Sequence, residues 1–381
     1  MAAYDVIVVG GGPAGSASAC FFAERGKRVL LVDAARFPRR KACAEYISPG
    51  GAAILERLGV LERIRSAGAG RWLRGMRIQA PSGERHLVEY ADNSGGQKRY
   101  ALSVSRLVLD AALLDEARAR GVEVRENFRA RDVWLTQRRA HGIVGPSGAR
   151  LEAELVVGAD GLHSIVARAM GTRQPAGWPR RLGLVAHWAG VDWPEDHGWL
   201  MVGPRDYVGV APLDDKGLLT VGYVRRMPLK RLGSAATAMH AGLAQYPELA
   251  KRLSRGHISG PVLGGGPLAR RVRQPAGAGY ALVGDAAGFF DPFTGEGIFR
   301  ALRGAQLLAA GPGTYAAERS QAFAAKERLV ALVQVFVQTP RLMNFVIHRL
   351  QQRPRLAREL GRVLGDLQPA RLDLVWRLLG P

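Results

Sequence analysis

The stretch YDVIVVGGGPAGSASACFFAERGKRVLLVD, residues 4–33, reads as a strand, a glycine turn, a helix and a second strand that ends in an acid. Residues 6–9 form an apolar β-branched run of the kind that a strand buried in a parallel sheet needs. Gly10, Gly12 and Gly15 fall on the G-x-G-x-x-G spacing, with Pro13 and Ala14 opening the helix between them. The three glycines have separate roles. Gly10 allows the tight turn, Gly12 lets backbone amides approach a pyrophosphate, and Gly15 lets the helix lie close on the sheet. Asp33 ends the next strand, where its carboxylate can take both hydroxyls of an adenosine ribose. The spacing alone also fits a tight turn without a ligand. The strand, helix and acid around it point to a bound dinucleotide.

Two later segments repeat part of this pattern. Residues 155–168, LVVGADGLHSIVAR, place Asp160-Gly161 after an apolar strand, and residues 280–302, YALVGDAAGFFDPFTGEGIFRAL, place Gly284-Asp285 after another, before a loop and a helix expected to open near Thr294. Taken singly, aspartate beside glycine after a strand is ordinary turn chemistry. Taken in this order, the three segments make the chain resemble the FAD-dependent class A monooxygenases of the p-hydroxybenzoate hydroxylase type, whose wider superfamily includes geranylgeranyl reductases and flavin halogenases. The resemblance covers about the first 330 residues. It implies an α/β fold in which a Rossmann-like FAD-binding domain is interleaved with an antiparallel β-sheet substrate domain, with a helical C-terminal region beyond them.

That resemblance assigns roles by position. Asp285 would accept a ribityl hydroxyl, and Asp160 would belong to the same cofactor site. The helix beginning around Gly295, Gly297 and Ile298 would aim its free N–H groups at the pyrimidine side of the flavin. A helix N-terminus offers roughly half a positive charge there, which favours the reduced, negatively charged ring. Glu296 reads as a first-turn acid favoured by the helix dipole rather than as a catalytic base. Arg106 opens the helix in RYALSVSRLVLDAALLDEARARG, residues 99–121, where the family places an arginine against FAD. In RFPRRKACAEYISP, residues 36–49, Arg40, Lys41 and Cys43 match a loop that crosses the flavin in geranylgeranyl reductases, although Ala44 and Glu45 stand where that loop usually has glycines.

The expected FAD-binding domain takes in residues 1–70, 101–180 and 269–330. Residues 71–100, including a Gly-rich turn, and 181–268 make the substrate domain, and 331–381 the helical tail. Gly264–Gly266 do not open a second dinucleotide fold, because the segment PLARRVRQP after them is not a suitable helix start. One fingerprint means one tightly held dinucleotide, so NAD(P)H would act as a transient reductant unless a protein donor replaces it.

The formal charge of +21 comes from 54 basic and 33 acidic residues. Arginine makes up most of the basic residues, no zinc-finger or RNA-recognition spacing accompanies them, and no nucleic-acid partner is expected. No metal-ligand cluster stands out. Two cysteines, Cys20 and Cys43, without paired spacing fit a reducing, cytoplasmic protein, and no signal peptide or membrane-spanning run is read. Residues 331–381 carry eight arginines and three acids on apolar residues spaced three and four apart, with prolines at 340, 354 and 369 dividing the helices. These helices either pack with basic outer faces or rest on anionic lipid as a peripheral membrane contact that collects a lipophilic substrate.

The segment Tyr207-Val208-Gly209-Val210-Ala211-Pro212 aligns with Tyr-x-Trp-x-Phe-Pro of geranylgeranyl reductases, with both large side chains reduced to Gly209 and Ala211. Tyr207, Gly209, Ala211 and Pro292 are therefore the cavity candidates. The opened volume suits a ring, so the leading expectation is a monooxygenase that oxidises a lipophilic aromatic or polyketide-type molecule with NAD(P)H and O2 through a flavin C4a-hydroperoxide. Reduction of isoprenoid or quinone double bonds is the alternative, and halogenation the third.

Overall fold

The computed structural model describes residues 3–90, 99–227, 233–371 and 373–380. The Gly-rich turn expected near residues 91–98 lies outside them. The fold is mixed α/β, with several sheets and helices.

The opening stretch forms strand Tyr4–Val9, helix Pro13–Ala23 and strand Val29–Val32. The two strands pair in parallel, and they are joined in parallel by Arg150–Gly158, Tyr280–Leu282 and Glu123–Arg125. Residues 6–9 and 29–32 are buried throughout, which is why these strands read as unbroken apolar runs. The helix rides close to the sheet at Gly15, where a Cβ would fall 1.7 Å from the Gly10 carbonyl oxygen. Gly10 has φ +104°, and a Cβ there would meet the Ala159 carbonyl oxygen at 2.6 Å. Helices Arg106–Ala119 and Gly297–Ala310 cover the same face, closing a core with Phe21, Leu31, Leu113 and Leu302.

A second sheet carries, in order, His257–Ile258, Arg181–Ala189, Leu219–Arg226, Asp206–Pro212, His197–Val202, Gly75–Gln79 and Arg85–Glu89. It is antiparallel except where His197–Val202 runs parallel to Gly75–Gln79. Leu263–Gly265 adds to its Arg181–Ala189 strand, so the glycines near 264 serve a sheet edge. Strand periodicity divides this sheet's faces. Trp199, Val208, Val210, Val221 and Tyr223 pack beneath helices Ala235–Leu243 and Pro247–Leu253. Leu200, Val202, Tyr207 and Val224 look the other way and join a core built with the C-terminal helices Tyr315–Gln338, Pro340–Gln352, Pro354–Leu364 and Asp373–Leu379. Pro340 and Pro354 each take the first turn of a helix, the position where the missing N–H costs nothing. Among the described residues no single helix is long and apolar enough to cross a membrane.

Candidate functional site

A cavity of about 880 Å³ lies between the parallel sheet, the second sheet and the C-terminal helices. At one end it is lined by Gly10, Gly12, Pro13, Ala14 and Asp33. Gly15 is not part of the lining; it acts through packing. A Cβ on Gly12 would meet only the guanidinium nitrogens of Arg106 and Arg39, both at 3.5 Å, so two cations flank an otherwise open space in front of the helix N-terminus. Asp33 closes this end. Its Oδ2 accepts from the Gly11 amide at 2.7 Å and its Oδ1 from the Ala35 amide at 2.8 Å, which orients the carboxylate and leaves lone pairs for hydroxyl donors.

Arg106 is fixed rather than free. Its Nε and Nη2 donate to the two carboxylate oxygens of Asp110, one helical turn on, at 2.6 and 2.7 Å. Burial opposes its charge, but Asp110 outweighs burial and holds the guanidinium well above its ordinary pKa. Arg39, which the sequence pattern did not single out from its neighbour, shares Asp110 at 3.2 Å and reaches Asp33 at 3.7 Å. Arg40 also lines the cavity, but its guanidinium turns to His187 Nδ1 at 3.5 Å and donates to the Ser259 carbonyl at 3.3 Å, so it ties its loop to the second sheet. Lys41 lines the cavity with its pKa lowered by burial and by Arg39 and Arg106. Cys43 is there too; its sulfur accepts from the Glu45 amide, and burial pushes the thiol up.

Glu45 occupies a left-handed backbone conformation, φ +55°, which explains why a glycine is the usual resident of such a position. Its buried carboxylate does two things a glycine cannot. Oε1 accepts from the Arg106 amide at 2.8 Å, and Oε2 lies 2.6 Å from His187 Nε2. The loop is thereby held to a helix N-terminus on one side and to the second sheet on the other.

Asp160 and Asp285 both line the cavity. Oδ2 of Asp160 accepts from the Ile165 amide at 2.7 Å, while its buried Oδ1 has no partner and is available to a ligand. Burial raises the Asp285 carboxyl, against the pull of Arg106, Lys41 and Arg300. The nearby helix starts at Gly297, three residues later than expected. Asp291 Oδ1 accepts from the Phe293 amide and the Pro292 carbonyl from the Gly295 amide, so residues 291–296 are spent on a turn. Gly295, Gly297 and Ile298 line the cavity at this N-terminus, which has no side-chain cap. Glu296 instead pairs with Arg300 at 3.1 Å and with Lys326 at 3.5 Å, in keeping with a structural role.

Farther in, Tyr207, Gly209, Ala211 and Pro292 line the cavity. Tyr207 donates to Asp291 Oδ1 at 2.7 Å, a buried acid also held by Gln334. Gly222 and Gly183 on the neighbouring strands line the same space and were not expected from the sequence; an interior strand glycine is the signal that marks close approach by a ligand. Tyr46 and Tyr90, whose hydroxyls bond to one another beside Gly295, were likewise not expected. Beyond them the walls become wholly apolar, with Leu329, Phe336, Met343, Ile347, Leu356 and Leu374 from the C-terminal helices.

This arrangement fits FAD. Open space at Gly12, flanked by two arginines, suits a pyrophosphate; Asp33 suits a ribose; the unpartnered oxygen of Asp160 can take a further donor; and an uncapped helix N-terminus borders the cavity, where it suits a negatively charged ring. No group of acids, histidines or cysteines among the described residues could hold a metal ion.

Comparison with known proteins agrees. The FAD binding domain family matches residues 3–234. The menaquinone reductase of Mycobacterium tuberculosis is 29% identical over 333 residues, covering 80% of this chain and 75% of that protein. The digeranylgeranylglycerophospholipid reductase of Methanosarcina acetivorans is 31% identical over 325 residues, covering 82% and 75%. A flavin-dependent brominase shares the fold over 98% of this chain and 97% of its own, with a TM-score of 0.85 at 22% identity. The chain therefore belongs to the FAD binding domain family and is an FAD-dependent oxidoreductase.

Proposed function

We propose that the protein reduces carbon–carbon double bonds of a long lipophilic isoprenoid, free or carried by a quinone, with NAD(P)H as transient reductant. The observation that carries this reading is the depth of the cavity, which continues past the flavin end into apolar space walled by four C-terminal helices. A flexible chain fills such a space along its length, whereas one aromatic ring leaves its far wall uncontacted. Two relatives near 30% identity that are named as reductases support the same choice. On this ground reduction moves ahead of oxygen insertion.

FAD, bound and reduced, supplies a hydride equivalent; the chain does the rest. Gly10, Gly12, Arg39 and Arg106 would hold the pyrophosphate, Asp33 the adenosine ribose, and Asp160 and Asp285 the polar chain toward the ring. The N-terminus of helix Gly297–Ala310 would compensate negative charge on the ring. Gly209 and Gly222 leave room for the substrate against the sheet. Tyr46 donates its hydroxyl proton to Tyr90 in a hydrogen bond, which leaves the Tyr90 proton free to complete the saturation; burial raises both phenols and keeps them protonated. In this reading the parallel sheet with its helices forms the FAD-binding domain, interrupted in the chain by the segments of the substrate sheet. The basic C-terminal helices resting on anionic lipid would give an isoprenoid its way in.

Monooxygenation of an aromatic molecule is the second reading, favoured by the broad floor at Gly209 and Gly222. Halogenation is third: among the described cavity residues Lys41 is the one lysine, and it sits with the charges of Arg39 and Asp33. Product mass decides among them. Reduction under anaerobic conditions adds two hydrogens to an isoprenoid, whereas oxygen insertion adds one oxygen and requires air.

A further inference from the structure

A second pocket, of about 630 Å³, lies on the outer side of helix Pro354–Leu364. Four arginines line it: Arg353, Arg355, Arg358 and Arg377. Arg353 donates to the Arg377 and Gly380 carbonyls, which positions its guanidinium without neutralising it. Arg377 is paired with Glu359 at 2.8 Å. Arg355 and Arg358 are exposed and have no side-chain partner among the described residues. One acid thus answers four cations, and the helix N-terminus beside them carries no side-chain cap.

The position of this pocket matters as much as its charge. Leu356 lines both it and the apolar cavity, so the two adjoin at that residue. Helix Pro354–Leu364 sorts them by periodicity. Leu356, Leu360 and Leu364, four apart, face the cavity, while Arg355 and Arg358 face the pocket. A ligand spanning the two would be apolar along most of its length and strongly anionic at the end farthest from the flavin. Guanidinium forks in a group match phosphate oxygens better than a single carboxylate.

We propose that this pocket binds the phosphate end of an isoprenoid amphiphile whose chain lies in the cavity, placing a distal double bond at the flavin. The proposal rests on the reductase reading for the chain and adds the headgroup site. The shared chemistry is phosphate, carried either by a free prenyl diphosphate or by a phospholipid headgroup.

The test is calorimetric titration of the FAD-loaded protein with geranylgeranyl diphosphate and with geranylgeraniol, for the wild type and for the double variant Arg355→Gln/Arg358→Gln, both positions being exposed. The wild type should bind the diphosphate roughly ten- to a hundredfold more tightly than the alcohol, the worth of one or two charge-assisted hydrogen bonds. The double variant should lose that advantage and keep its affinity for the alcohol. Equal wild-type affinities, or an advantage that survives in the variant, overturn the headgroup site while leaving the reductase reading intact. Failure of both isoprenoids to bind overturns the reductase reading itself. Sedimentation with phosphatidylglycerol vesicles separates the two sources: binding lost in the double variant assigns the pocket to a lipid headgroup, and binding unchanged there, with the diphosphate advantage lost, assigns it to a free diphosphate.

Discussion

Gly209 and Gly222 stand opposite one another across the ladder of strands Asp206–Pro212 and Leu219–Arg226, and a Cβ on either would meet nothing closer than 3.8 Å. They are a paired gap in the floor of the cavity, kept open by two residues rather than one. Gly209→Trp should fill it. Turnover of an isoprenoid substrate should fall by roughly ten- to two-hundredfold with bound FAD unchanged, the range expected when a few atoms are sterically excluded. Steady-state kinetics beside the flavin absorbance spectrum checks this; unchanged kinetics would place the substrate elsewhere.

Gly12 and Gly15 should fail in different ways. At Gly15 a Cβ lands on a backbone carbonyl at 1.7 Å, so Gly15→Ala should cost about 3 kcal/mol or more and lower the melting temperature even without cofactor. At Gly12 the same atom has ordinary contacts, so Gly12→Val should fold and lose FAD, because its branched side chain takes the pyrophosphate space. Thermal denaturation of apoprotein and flavin retention on gel filtration separate the two.

Asp285 faces the cavity, whereas Glu296 is buried between Arg300 and Lys326. Asp285→Ala should weaken FAD retention more than Glu296→Gln does. Glu296→Gln should instead lower stability by about 1–3 kcal/mol, since it removes a buried charge that Arg300 and Lys326 share in addition to their pairs with Glu327 and Asp366. Equal loss of flavin in both variants would contradict this division.

Tyr90→Phe should slow product formation by about a hundredfold, the usual worth of a positioned proton donor, while chemical reduction of the bound flavin stays unaffected. A variant that saturates its substrate at the wild-type rate would assign the proton to solvent.

Burial raises the Asp366 carboxyl from 3.8 to about 6, with Lys326 pulling the other way. The folded protein therefore holds this proton more tightly than the unfolded chain. The stability it contributes is full below pH 3.8 and is lost as pH rises through about 6. Relative to wild type, Asp366→Asn should gain stability between those values and level off above them. Urea denaturation of both proteins across that range measures the difference, and a relative loss would reverse the sign.

What the sequence disclosed depended on how local each constraint is. Gly10, Gly12 and Gly15 act through a turn and a close approach within six residues, so their spacing carried the reading. The opposition of Gly209 and Gly222 depends on the register of a hairpin, and only Gly209 sat in a segment with a pattern to compare. Glu45 was visible as a departure from glycine, but its bonds to Arg106 and to His187, 142 residues away, are tertiary. Arg39 and Arg40 are adjacent and chemically alike. Which one turns to Asp110 and which to His187 is settled by the path of the loop. In the tail, prolines and apolar spacing disclosed helices but not that their leucines would wall the same cavity as Gly10 and Gly12.

Leu356, Leu360 and Leu364 sit at intervals of about 6 Å along their helix, four residues at 1.5 Å each. On the reductase reading they form a graduated scale: a bulkier side chain at successive marks would stop the chain at successive depths and shift which double bond arrives at the flavin. Redox centre and length gauge then lie in separate parts of the polypeptide, so substrate range can drift through changes in the last helices while the chemistry stays as it is.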